Sequence, residues 1–298
     1  MINTIKFILH HPLASKKPLA AIGRFLRWQI GSRLLHAPIA VRFVNDTRLL
    51  VTTGMTGATG NIYAGLHEVE EMAFTLHLLK SGDDFIDIGA NIGSYTILAS
   101  GVIGARTLSI EPIPATYQKA LDNILLNRLS DQVKLLNIGI SDQRGTLRFS
   151  SALDTVNHVL EGAAQSSEHL SVHVPVDRLD EVMADYSPVL VKMDVEGFEY
   201  KVLKGADKML QDHNLLAMII ETNGSGRRYG FSDKSIDELV RSYGFSAALY
   251  DPFQRELKPL PAGVYHSGNT IYFRRLSEIQ QRVKAAATFR LGSSGLSI

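Results

Sequence analysis

Short apolar runs alternate with segments of helical period along most of this chain. The runs FIDI (85–88), TLSI (107–110), VKLLNI (133–138), VLVKMD (189–194) and LLAMIIE (215–221) are aliphatic at successive positions. Strands buried on both faces of a parallel sheet read this way. Between them, Leu66, Val69, Ala73 and Leu76 recur at helical spacing, with a stop at Gly82. Further helices are predicted near 93–102, near 114–128, near 177–184 and near 198–211. Ser232 caps a last one bearing Ile236, Leu239, Val240 and Tyr243, and FSAALY and TIYFRR read as two final strands. The pattern predicts an α/β fold, a mostly parallel sheet covered by helices on both faces.

Two regions break the alternation. Residues 141–176 form a less regular excursion holding the strand-like GTLRFS and SVHVPV. Residues 39–65 read as short strands and turns, with Gly54, Gly57 and Gly60 taken as turn glycines. The expected organisation is a basic arm over 1–62, the main domain over 63–275 and a C-terminal helix or tail over 276–298.

Ligands of such sheets collect at the C-terminal ends of strands. Four acids fall there: Asp87, Glu111, Asp194 and Glu221. In DFIDIGANIGSYT, Gly89 and Gly93 let a backbone turn approach a ligand, and Ala90 and Asn91 lie between them. Bare amides at a helix start favour phosphate, but Asp87 opposes it by like charge and suits a cationic ligand. Glu111, at the next strand tip, can accept both hydroxyls of a ribose, as in dinucleotide enzymes. Asp194, Glu196 and Glu221 are expected to converge as bases, as acceptor-orienting groups, or as oxygen ligands for Mg²⁺. Glu196 as a helix cap and Asp194 as a partner of a cofactor amino group remain open beside these. His158, in the excursion, is a candidate base or an exposed loop histidine; Asn157 shares its fate. Lys192, odd in a central strand, is expected to pair with one of the acids. His67, His77, His169, His173 and His266 show no partner, and Tyr243, Tyr250, Phe253 and Tyr272 read as core.

Composition removes several classes. The 298 residues include no cysteine, which excludes disulfides, thiolate zinc sites and cysteine nucleophiles. A net charge of +1 gives no global nucleic-acid signal. No apolar run approaches the length of a spanning helix, and the N-terminus makes a poor signal peptide. The expected location is cytoplasmic, with peripheral contact at the inner face of the membrane. Charge is uneven, however: residues 1–45 carry seven Lys or Arg and no acid. Within them LAAIGRFLRWQI is amphipathic, and either lies on an anionic membrane or packs on the main domain with its arginines solvated.

The segments FIDIGANIGSYTILAS, SIEPIPATYQKALDNILLN, VKMDVEGFEYKVLKGA and IIETNG together resemble, in order, the signature of FkbM-type S-adenosylmethionine-dependent methyltransferases. The resemblance covers roughly 63–275. It implies a Rossmann-like methyltransferase fold with a seven-stranded sheet whose last strand is antiparallel. It also implies S-adenosylmethionine as cofactor, and methylation of a hydroxyl on a sugar, glycan or polyhydroxylated natural product. Asp87, Gly89, Asn91, Gly93 and Glu111 are then cofactor contacts, and Ser141 and Asp142 candidates for the adenine amino group. A dinucleotide-dependent oxidoreductase, a nucleic-acid methyltransferase and a non-catalytic binder are the competing readings. Against nucleic acid stands the lack of a basic surface outside the arm.

Overall fold

A computed structural model describes residues 2–35, 37–150, 157–160, 171–266, 268–292 and 294–298. Helices α1 (Ile2–His10) and α2 (Pro18–Leu35) lead to a hairpin of β1 (Ile39–Arg42) and β2 (Arg48–Val51). Then come α3 (Thr56–Ala64), α4 (Val69–Leu78) and β3 (Asp84–Ile88). A short α5 (Ser94–Thr96) continues as a π-helical stretch, Ile97–Ile103. The chain alternates through β4 (Arg106–Ile110), α6 (Pro114–Leu126) and β5 (Val133–Leu136). Strands β6 (Gly139–Ser141), β7 (Gly145–Ser150) and β8 (Ser171–Arg178) follow, then α7 (Leu179–Val182) and β9 (Pro188–Met193). Next are α8 (Glu199–Lys204), α9 (Asp207–Gln211), β10 (Ala217–Thr222) and α10 (Asp233–Ser242). The last elements used below are β11 (Ser246–Asp251), β12 (Glu256–Pro259), β13 (Gly268–Phe273) and α11 (Leu276–Ala285).

The main sheet has eight strands in the order β12-β11-β13-β10-β9-β3-β4-β5. β3, β4, β5, β9 and β10 are parallel, and β13 inserts antiparallel between β10 and β11. The expected seven strands and the antiparallel last one are present. The eighth, β12, is an edge strand that turns back on β11. Its sequence, ELKP, has only Leu257 buried, too weak an alternation to predict. The described strands of the excursion form, with Gly139 and Ile140, a second sheet, β6-β8-β7. The helix expected near 198–211 is two helices meeting at Gly205, where a side chain would overlap the Ser141 carbonyl.

Alternation in the central strands divides the core. Phe85, Leu190, Ala217 and Ile219 face one apolar cluster; Ile86, Val191, Met218 and Ile220 face the other. The first cluster also takes Ile8, Phe25 and Trp28 from the N-terminal helices, Leu13 from the connection between them, and Ile279 and Val283 from α11. The first 62 residues therefore do not stand apart as an arm. They share one core with the sheet. Arg24, expected in solvent, is buried and donates to the carbonyls of Ile62 and Tyr63 at the end of α3. Leu50 donates to Asn123 Oδ1, whose amide nitrogen donates to the carbonyl of Ile92, tying the hairpin to the glycine turn. Gly57 and Gly60 lie inside α3 and are not turn residues. A side chain at Gly60 would overlap the His67 ring, so tertiary packing selects glycine against its low helix propensity.

Candidate active site

The strand tips of β3, β4 and β9 open into a cavity of about 280 Å³. Its wall comprises Asp87–Ile92, Glu111, Ile113, Lys192 and Asp194–Glu196 from the sheet edge, and Met55, Ala58, Asn61, His67, Glu68 and Met72 from α3 and the start of α4.

The turn after β3 is left-handed at Gly89 (φ 77°), Asn91 (φ 51°) and Gly93 (φ 82°). Gly89 is demanded by the fold: a side chain there would overlap the Asp194 carbonyl, because β9 runs close beside β3. The amides of Gly89 and Ala90 both donate to the carbonyl of Ile110, at 2.9 and 3.0 Å. Asn91 N–H donates to Glu111 Oε2 at 2.9 Å, and Gly93 N–H donates to the carbonyl of Ala90 at 2.8 Å. These four amides are consumed internally, so the turn does not offer the open amide cradle a pyrophosphate needs.

Glu111 is only 5% exposed, and its other oxygen accepts the amide of Ile113 at 2.9 Å. Burial pushes its carboxyl up to about 8, although the two amides pull it down. Asp87 is buried too. Its Oδ2 accepts the amide of Thr96 at 3.1 Å and the hydroxyl at 2.7 Å. Burial nevertheless raises it to about 6. Part of the acid's work is therefore to hold the start of the following helix.

Asp194 and Glu196 of this wall and the neighbouring Glu221 bring carboxylate oxygens within 4.8 Å of one another. Burial, then Asp194, push Glu196 up to about 7. Burial, then Asp194 and Glu196, push Glu221 up to about 9, and its Oε2 is buried without a hydrogen-bond partner. Glu196 does not cap the next helix. Glu199, the first residue of α8, instead accepts the amides of Val195 and Gly197 in the turn before it, at 3.1 Å each. Lys192 pairs as its sequence context implied, donating to Asp194 Oδ2 at 3.1 Å. Burial pulls its ammonium down, but Asp194, Glu68 and Glu221 more than offset this and keep it charged.

Other expected residues stand away from the wall. Ser141 and Asp142 are not in it; Asp142 pairs with Lys201 at 2.8 Å, and the wall there is Ile138, Gly139 and Ile140. His158 sits beside β7, its backbone bonded to Ser150, next to Val159, which forms a bridge with Phe149; its neighbours Asn157 and Val159 line the cavity. Gly93 and Glu221 also lie just outside the lining. Residues missed in the sequence are Glu68, Tyr95 and Asn269. Tyr95 donates to Glu68 Oε2 at 2.7 Å and Asn269 Nδ2 to Oε1 at 2.9 Å, while Lys192 reaches Asn269 Oδ1 at 3.4 Å. Tyr95 lies 27 residues from Glu68 and Asn269 lies 201 from it, so no local signal joins them. His67, read as unremarkable, lines the cavity with Asn61.

A doubly wound sheet with β13 inserted antiparallel, an acid at the second strand tip and a turn whose amides are closed to phosphate define a Rossmann-like methyltransferase. Residues 87–247 match the methyltransferase FkbM domain, more than half of the sequence. The chain belongs to the FkbM methyltransferase family. It is 32% identical to methyltransferase sdnD of Sordaria araneosa, over 56% of this chain and 75% of that protein. It is 28% identical to hexuronic acid methyltransferase AglP of Haloferax volcanii, over 61% and 71%. Identity to methyltransferase 1 of Beauveria bassiana is 27%, over 57% and 75%.

Proposed function

We propose that this protein transfers the methyl group of S-adenosylmethionine to a hydroxyl oxygen of a sugar, glycan or polyhydroxylated natural product. The observation that carries the reading is the convergence of Asp194, Glu196 and Glu221 beside a cavity that Glu111, Asp194 and Glu196 line. The cofactor fits the donor set. Each Glu111 oxygen bonded to an amide keeps a second lone pair for a ribose hydroxyl. The apolar wall of Ile113, Ile138 and Ile140 suits adenine, and takes the place of Ser141 and Asp142. Asp87 and Asp194 supply negative charge for the methionine amino group and the sulfonium.

The acceptor oxygen attacks the methyl carbon, the carbon–sulfur bond breaks, and its electrons neutralise the sulfur. Positioning supplies much of the acceleration. The hydroxyl proton must leave, and Glu196, held up to about 7, is placed to take it. The three carboxylates are also hard oxygen donors, and the unsatisfied Glu221 Oε2 fits a Mg²⁺ ion among them. Bound there, such an ion would supply Lewis-acid polarisation of the acceptor hydroxyl. The name of the hexuronic acid relative supports a carbohydrate acceptor. The closed turn amides weigh against the dinucleotide reading.

The test is incubation with deuterium-labelled S-adenosylmethionine and glycan extracts, followed by mass spectrometry. Labelled methyl on a hydroxyl oxygen supports the proposal. Label on nitrogen, carbon or nucleic acid alone refutes it.

A further inference from the structure

Helix α2 buries Ala21, Arg24, Phe25, Trp28 and Ser32 on one side. On the opposite side Leu19 (84% exposed), Leu26 (51%), Ile30 (62%) and Leu34 (74%) face water. At 100° per residue these four fall within about 80° of the helix circumference, and the stripe is about 22 Å long. Arg27 and Arg33 flank it and are exposed, as are Lys6, Lys16 and Lys17 nearby. Six of the eleven large apolar side chains most exposed among the described residues, Leu9 and Leu35 included, come from the first 35 positions. The exposure is thus concentrated and not the scattered kind that any surface carries.

We propose that the outer face of α2 docks on an anionic lipid bilayer, the helix lying in the interfacial plane. Charge complementarity chooses the occupant: residues 1–45 carry seven cations and no acid. The chemistry of the stripe agrees. It is aliphatic with arginine at its edges, whereas protein interfaces centre on aromatic anchors set in pockets. Among the described residues no helix is long and apolar enough to cross a membrane, so the contact proposed is at the surface. Because α2 packs on α3, and α3 lines the cavity, the same docking holds the active site near the bilayer.

The test is sedimentation of the full chain with vesicles of phosphatidylcholine containing one third phosphatidylglycerol, beside vesicles of phosphatidylcholine alone. The chain is expected to follow the anionic vesicles, far less the neutral ones, and to be released by salt. The double variant Leu26→Glu, Ile30→Glu should partition about tenfold less or weaker still, since two hydrocarbon side chains become charges. Its melting temperature and cofactor binding should not change, because both positions are exposed. Leu249→Glu, at an exposed position outside α2, should bind as the parent does. Failure of the parent to follow anionic vesicles overturns the proposal, as does undiminished binding of the double variant. So does a solution dimer that the double variant splits, which would show that the stripe seats a second copy.

Discussion

Replacing Glu111 by Gln probes the cofactor end of the site with almost no change of shape. Both carboxylate oxygens already accept amides, from Asn91 and Ile113 at 2.9 Å each. A glutamine keeps one acceptor and turns the other into a donor that faces an amide donor. The ribose would then lose at least one charge-assisted hydrogen bond and gain a mismatched one. Each bond of that kind is worth about 1.5–3 kcal/mol. A loss of about 3 kcal/mol, roughly a hundredfold in Kd for S-adenosylhomocysteine, is expected by isothermal titration calorimetry. The protonation state adds a second readout. Burial pushes Glu111 up to about 8, so before the ribose is bound most of it carries a proton near neutral pH. Ribose hydroxyls donate and favour the ionised form. Binding should therefore release close to one proton and tighten as pH rises toward about 8. Titration in buffers of different ionisation heat reads the release, and the variant should lose that contribution. A Kd within about threefold of the parent would refute the ribose assignment, a factor worth well under 1 kcal/mol.

Three other outcomes follow from the geometry. Gly89→Ala should lower the free energy of unfolding by about 1–2 kcal/mol for the positive φ alone and more for overlap with the Asp194 carbonyl; a stability equal to the parent's in chemical denaturation would show that β9 yields there. Phe25→Ala should cost about 3–5 kcal/mol in chemical denaturation if the N-terminal helices are part of one core, and under about 1 kcal/mol if they form a detachable arm. Glu196 and Glu221 hold protons up to about 7 and about 9, above the 4.5 of an ordinary glutamate. Between those values the native state binds more protons than the unfolded one, so these groups make stability fall as pH rises. Mg²⁺ should relieve that penalty, raising the melting temperature little below about 7 and more near 9, with the gain lost in Glu221→Gln. No Mg²⁺-dependent gain at any pH would sink the metal reading.

The parts of the site that were legible are those fixed by the parallel sheet. A strand tip must be followed by a turn at the same edge, so Asp87, Glu111, Asp194 and Glu221 could be placed together from local pattern alone. Ser141 and Asp142 went astray because β5 ends at Leu136, two residues before the apolar run does. Ile138, Gly139 and Ile140 then reach the cavity and Ser141 packs against Gly205. The α3 wall was hidden for a different reason. Gly57 and Gly60 disfavour a helix locally, and only the His67 ring across from Gly60 explains the choice. Arg24 and the network of Glu68, Tyr95, Lys192 and Asn269 depend on contacts between distant segments, which periodicity does not encode.

The central claim is the identity of the methyl donor, and thermal unfolding of the full chain with S-adenosylhomocysteine or NADH tests it most directly. The account predicts a rise in melting temperature with S-adenosylhomocysteine that grows with concentration, and none with NADH. Stabilisation by NADH without any by S-adenosylhomocysteine would contradict it.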